Sequence, residues 1–180
     1  TAPFDGETAS VTIAQNILSV AAFIDATYVQ ASVGFVMDLG DAKMTTKYSD
    51  PGLGTGTSTT LDFDQTWLSI GVLGKYPFKA GSVTVFPLVG IEYDLNLSNK
   101  VNGTDTKSTM SDDQKANLNQ FWLKAGVGAD FAVSSKIYVR PSAIFGYKLH
   151  SKLQSDNLET LEAMPGIGKA TQTDIRIDIG

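Results

Sequence analysis

The feature that most constrains this chain is an alternation of period two, sustained far beyond an average strand. Residues two apart in a pleated strand share a face, so each segment sorts into two sets. From Tyr28 to Leu39, Val29, Ala31, Val33, Phe35, Met37 and Leu39 oppose Tyr28, Gln30, Ser32, Gly34, Val36 and Asp38. In Trp67–Tyr76, Leu68, Ile70, Val72 and Tyr76 oppose Ser69, Gly71 and Lys75. In Val83–Leu95 the odd positions are apolar, and the even ones include Thr84, Gly90, Glu92 and Asp94. The same phase discipline holds in Phe121–Phe131, in Ile137–Leu149 and in the final Ile175, Ile177 and Ile179. The N-terminal segment Val11–Phe23 changes phase near Gln15–Asn16, which predicts a bulge or break there. Pro87 and Pro141 fall inside strands and cannot donate to a ladder, so each predicts a bulge or a missing pairing bond.

The connections alternate in length. Phe23–Thr27, Phe78–Ser82 and Val133–Lys136 are tight, while Thr46–Leu61, Ser98–Asn119 and Ser151–Gln172 are long and polar. Short turns at one end and long loops at the other describe an up-and-down antiparallel meander. No composition shift marks a second domain within residues 1–180, and no helical period is sustained, although Asp156–Met164 allows one or two helical turns.

Alternation does not say which face meets water. A soluble barrel turns its apolar face inward, whereas a membrane barrel turns it outward. Three features favour the second arrangement. The polar face is rich in small residues (Ser32, Gly34, Ser69, Gly71, Gly90, Gly126, Gly128, Ser142 and Gly146), which suit a crowded lumen better than a wet surface. Its charges nearly cancel: Lys75, Lys124, Arg140, Lys148 and Arg176 against Asp38, Glu92, Asp94, Asp130, Asp174 and Asp178. Enclosed charges must pair, because isolated ones cost several kcal/mol. The competing reading of that face is an ordinary solvated surface of mixed sign. Third, the aromatics gather toward strand ends as two girdles would. Phe23, Tyr28, Tyr76, Phe78, Phe131 and Tyr138 lie toward the short turns, and Phe63, Trp67, Tyr93, Phe121, Trp122 and Tyr147 toward the long loops. We therefore expect a lumen network of Lys75, Glu92, Asp94, Lys124, Asp130, Arg140, Lys148, Arg176 and Asp178, filled by Phe86, Trp122 and Tyr138. The expected lipid-facing girdle is Tyr28, Trp67, Tyr76, Tyr93, Phe121, Phe131 and Tyr147.

Composition removes several chemistries. There is no cysteine and one histidine, so thiolate sites, disulfides and two-histidine metal sites are excluded within this sequence. A net charge of -5 argues against nucleic acid as a partner. No apolar run reaches the ~18 residues of a membrane helix. No leader pattern opens the chain, so any signal peptide is expected to have been removed. His150 at a strand end lacks a visible nucleophile and orienter. Asp62, Asp64, Asp112 and Asp113 lack a calcium-loop pattern. Gly166–Thr171 lacks the spacing of a phosphate loop, and Asp50–Gly56 is turn chemistry. Asn96-Leu97-Ser98 and Asn102-Gly103-Thr104 match a glycosylation pattern too short to carry weight. We expect no catalytic, metal-binding or cofactor-binding residues, and no enzyme activity.

On the Gly-alternating strands Ala31–Phe35 and Leu123–Phe131, and on its rhythm of short turns and long loops, the chain resembles the small bacterial outer-membrane β-barrels of the eight-stranded kind. The resemblance spans nearly the whole length and includes no catalytic motif. It implies a Gram-negative outer-membrane location, periplasmic turns, extracellular loops and the lipid bilayer as partner. The implied role is structural, with a surface ligand or host partner engaged through the loops. A narrow channel for small solutes or hydrophobic molecules is the first alternative. A soluble lipocalin-like barrel is the second, and it would turn Val33, Ile70, Val127 and Val139 inward. The chain departs from the family pattern in showing seven strands and in stopping at Gly180 rather than at an aromatic residue. A strand before Thr1 and the end of the last strand are therefore expected to be missing, which intact mass against 19.2 kDa would test.

Overall fold

A computed structural model describes residues 9–14, 16–40, 42–48, 58–134, 137–149 and 173–180. In chain order the strands are β1 (Ala9–Ala14), β2 (Ile17–Asp25), β3 (Val29–Asp38), β4 (Ala42–Tyr48), β5 (Ser58–Leu61), β6 (Phe63–Lys75), β7 (Phe78–Ala80), β8 (Val83–Val101), β9 (Thr104–Asp105), β10 (Gln120–Ala132), β11 (Tyr138–Val139), β12 (Ser142–Leu149) and β13 (Ile175–Ile179). Among the described residues a single 3-10 turn at Lys107–Thr109 and a short α-helix, α1 (Asp112–Asn117), precede β10.

Tight turns set the pairing. After Asp25 the chain reverses with Ala26 N donating to Val29 O at 2.8 Å. Gly81 and Ser82 close the hairpin between Ala80 and Val83, with Gly81 at φ 66°. A positive φ at the first of two turn positions matches the twist of the flanking strands and suits a residue without Cβ. Seven strands then follow in an antiparallel meander, β2-β3-β6-β8-β10-β12-β13, with β7 and β9 joined to β8 and β11 to β10. The sheet curls into a half-barrel. Among the described residues its end strands, β2 and β13, do not pair with each other. A second antiparallel sheet, β1-β4-β5, carries the same hairpins onward at the long-loop end. Leu39 N donates to Asn16 O at 2.9 Å where the two sheets meet.

The break expected near Gln15–Asn16 is present, since β1 and β2 lie in different sheets on either side of it. Both prolines interrupt pairing as their missing donors require. Pairing of β8 with β6 ends at Leu88 and resumes with β7 at Val85, so Pro87 lies in the gap. Pro141 separates β11 from β12.

Two polar connections are shorter than expected. The stretch 46–61 contains the end of β4 and all of β5, and the stretch 98–119 contains the end of β8, β9 and α1. The second is held by a hairpin whose turn residues Asn102 and Gly103 have φ 50° and 74°. Both therefore adopt the left-handed conformation of the favoured Asn-Gly turn. It also holds a capping box at Ser111 and Gln114. The connection 151–172, the helical turns at 156–164, His150, Gly166–Thr171 and Asp50–Gly56 lie outside the described residues.

Candidate functional site

The two faces of the meander are inverted relative to a water-soluble sandwich or barrel. Val33, Ile70, Val127 and Val139 are 51%, 52%, 56% and 57% exposed, while Asp94, Lys124 and Arg176 are 1%, 6% and 9% exposed. The soluble-barrel alternative placed those four apolar side chains inward, and they are not there. The enclosed polar face is the candidate site, and it is layered along the strands.

The deepest layer is ionic. Lys124 on β10 reaches Glu92 on β8 at 2.6 Å and Asp178 on β13 at 2.8 Å. Arg176 on β13 pairs with Glu92, with Asp94 at 2.8 Å and with Asp178 at 3.1 Å. The Trp122 ring lies 4.7 Å below the Arg176 guanidinium, and its Nε1 donates to Asp94 Oδ2 at 3.0 Å. Each charge here has an opposite partner, which is the condition for holding ions away from water. Gly146 makes room for the ring, since a Cβ there would stand 3.3 Å from Trp122 Cε3.

Toward the short turns comes an apolar layer of Leu73, Phe86 and Leu88 with Ile144 packed on it. Phe86 is fully enclosed. A Cβ on Gly128 would lie 2.5 Å from the Phe86 ring, so only glycine leaves that space. Arg140 then forms a second ionic layer, at 2.6 Å from Asp130 and 2.8 Å from Asp25 on β2, and its Nη1 donates to Gln30 Oε1 on β3 at 2.8 Å. Its guanidinium stacks between Phe86 and Tyr138 at 4.8 and 5.0 Å. Lys75 also holds Asp25, at 2.5 Å, and Lys148 holds Asp174 at 3.0 Å.

Among the described residues, the buried contacts at the long-loop end are made mostly by amides. Gln65 bonds Asn99, whose Nδ2 donates to Thr106 Oγ1 at 2.6 Å. Trp67 Nε1 donates to Leu118 O at 3.2 Å, and Asn96 N donates to Asn119 Oδ1 at 2.9 Å. The residues just before β10 are thus tied to β6 and β8. Between Thr66 and Trp67 the register against β8 slips by one residue, leaving Leu97 unmatched. That bulge lets Asn96 and Asn99, of opposite parity, both point inward. Beside it an open depression of about 240 Å³ is lined by Leu97, Ser98, Asp105, Lys107, Ser108 and Lys115.

The structure thus brings all nine residues of the expected network into ion pairs on the enclosed face. Of the expected girdle, Tyr28, Tyr76, Tyr93, Phe131 and Tyr147 are exposed on the other face or its rim, and Phe121 is half-buried. Tyr28, Tyr76 and Phe78 form a ring cluster near the short turns, with centroids 6.1 and 4.9 Å apart. Trp67 is a correction. It pairs opposite Val36, shares parity with Ser69 and Gly71, and is buried on the enclosed face. Its place at a strand end suggested a girdle, but its phase decides. Tyr138, expected as lumen filling, sits at the rim and remains 41% exposed. Sequence reasoning missed Asp25 and the amide contacts of the long-loop end. Asp25 was legible as the inward-phase end of β2 but reads as a turn residue in isolation.

Comparison with known protein families, curated proteins and solved structures finds no match to the chain.

Proposed function

We propose that the chain is an integral β-barrel protein of a bacterial outer membrane, with a filled interior and a structural or surface-interaction role exercised through its long-loop end. One observation carries this reading: the apolar face is the exposed one, and the charged face is enclosed and internally paired. A contiguous apolar surface of this extent is unfavourable in water and favourable in lipid. The packed layer of Leu73, Phe86, Leu88 and Ile144 fills part of the interior, which favours a structural role over the narrow-channel alternative. We read the ion-paired interior as structural rather than catalytic.

The test is extraction from cells. The expected result is release into detergent but not into salt or alkali, with heat-modifiable migration on a gel. Recovery of the native protein in detergent-free buffer would overturn the membrane reading. Unit conductance steps in planar bilayers would replace the filled interior with a channel.

A further inference from the structure

We propose that the depression beside the β6–β8 bulge binds the phosphorylated headgroup of a membrane lipid, with Lys107 and Lys115 on the phosphate and Leu97 against the start of the acyl chains. The inference deepens the membrane reading and rests on it, because it needs the apolar outer face to be wetted by lipid.

Three observations carry the site. The first is depth. Every second residue of β8 from Val85 to Leu97 is apolar and exposed. At about 3.3 Å per residue and a tilt of about 40°, that run rises about 30 Å, slightly more than the apolar band of a membrane barrel. Leu97 therefore stands at the long-loop edge of the band, where headgroups begin. The outer wall turns polar directly beyond it. Asn99 is buried on the inner face, so Ser98 and Lys100 take the outward phase, and Lys100 pairs with Asp64.

The second is the chemistry of the lining. Besides Leu97, the depression of about 240 Å³ is lined by two lysines, two serines and Asp105. Lys107 Nζ donates to Asn96 O, and an ammonium carries three protons, so two remain for a ligand. Lys115 pairs with Asp112 at 3.6 Å, a carboxylate wholly in solvent. Such a pair is weak and yields to a better anion. Asp105 Oδ1 accepts from the backbone N–H of Lys107 at 2.9 Å and of Ser108 at 3.3 Å. Those dipoles take up part of its charge, and the turn they fix presents Lys107.

The third is construction. The bulge at Thr66/Trp67 leaves Leu97 unmatched on β6, and Lys107 is anchored to the neighbouring Asn96. An apolar side chain and two cations are thereby set side by side at one depth. A free phosphate would use the lysines alone, and an apolar solute Leu97 alone. A phosphorylated lipid uses both, in the order a leaflet supplies them, with chains toward Tyr93 and Leu95 and phosphate toward the lysines.

The experiment titrates lipid into the purified protein in detergent micelles and counts bound lipid by native mass. The probe is bisphosphorylated lipid A, compared with dephosphorylated lipid A and inorganic phosphate. The phosphorylated lipid should bind at least about tenfold more tightly than the dephosphorylated one, and inorganic phosphate should not compete with it. Lys115→Gln should weaken binding about fivefold, and Lys107→Gln with Lys115→Gln about 30-fold. Arginine at both positions should restore it, and Lys79→Gln, on exposed β7 at the short-turn end, should change nothing. Unchanged tryptophan emission identifies each variant as folded. Equal affinity for the two lipids, an equal loss in Lys79→Gln, or competition by inorganic phosphate at the concentration of the lipid overturns the proposal. Detergent dependence is scored separately. A protein that needs detergent but ignores the phosphate loses this site alone, and one that stays dissolved without detergent loses the membrane reading beneath it as well.

Discussion

Arg176 and Arg140 are the same residue type in the same enclosed face, each with several carboxylate contacts, yet they hold different things. Arg176 faces Asp94 and Glu92, whose side chains are 1% and 12% exposed. Arg140 faces Asp25 and Asp130, at 22% and 24%. The deep arginine neutralises acids that are more shielded from water, and the rim arginine ties the start of β12 to β2 and β3 across the curl. Depth, not the number of bonds, should decide what the loss of each one costs.

The largest effect is expected from Arg176→Met, which removes the ion-pair partner of Asp94 and leaves Glu92 with Lys124. It should destabilise by about 3–5 kcal/mol, measured by urea unfolding in detergent micelles. A loss under about 1 kcal/mol would mean that the deep layer is hydrated and the contrast with Arg140 is false. The next test concerns the wall that keeps water from that layer. Val127→Arg should cost about 2–4 kcal/mol in lipid vesicles if the residue faces the bilayer centre, and close to nothing if it faces water. Arg140→Ala should follow at about 1–3 kcal/mol, because Lys75 still holds Asp25 and the rim acids can hydrate. A cost equal to that of Arg176→Met would erase the distinction of depth. The baseline is Lys100→Ala. Lys100 and its partner Asp64 are 44% and 57% exposed, and the change should be within about 1 kcal/mol in the same assay.

The parts of this architecture that depend on period alone were legible. The two faces of β3, β6, β8, β10 and β12 follow from strict alternation, and the two prolines announced gaps because a missing N–H is a local fact. Trp67 was assigned to the wrong face because strand-end position was allowed to outweigh its parity. The outer extension was missed for a different reason. Lys43, Thr45 and Lys47 alternate with Ala42, Met44 and Tyr48, but polar strands carry little hydrophobic contrast. The hairpin at Asn102-Gly103 and the helix start at Ser111-Asp112-Asp113-Gln114 had recognisable signatures that were submerged in a polar stretch. Partnership across the curl was not legible at all. Alternation says that Arg140 and Asp25 point inward. It does not say that residues 115 apart in sequence meet.

Both tryptophans of the chain, Trp67 and Trp122, are buried on the inner face, one bonded to the carbonyl of Leu118 and the other lying against Arg176. The protein's indole emission therefore originates wholly from its inside. A spectrum taken in micelles, vesicles or cells becomes a gauge of how well the interior is assembled, blind to whatever solvent or lipid bathes the outer wall.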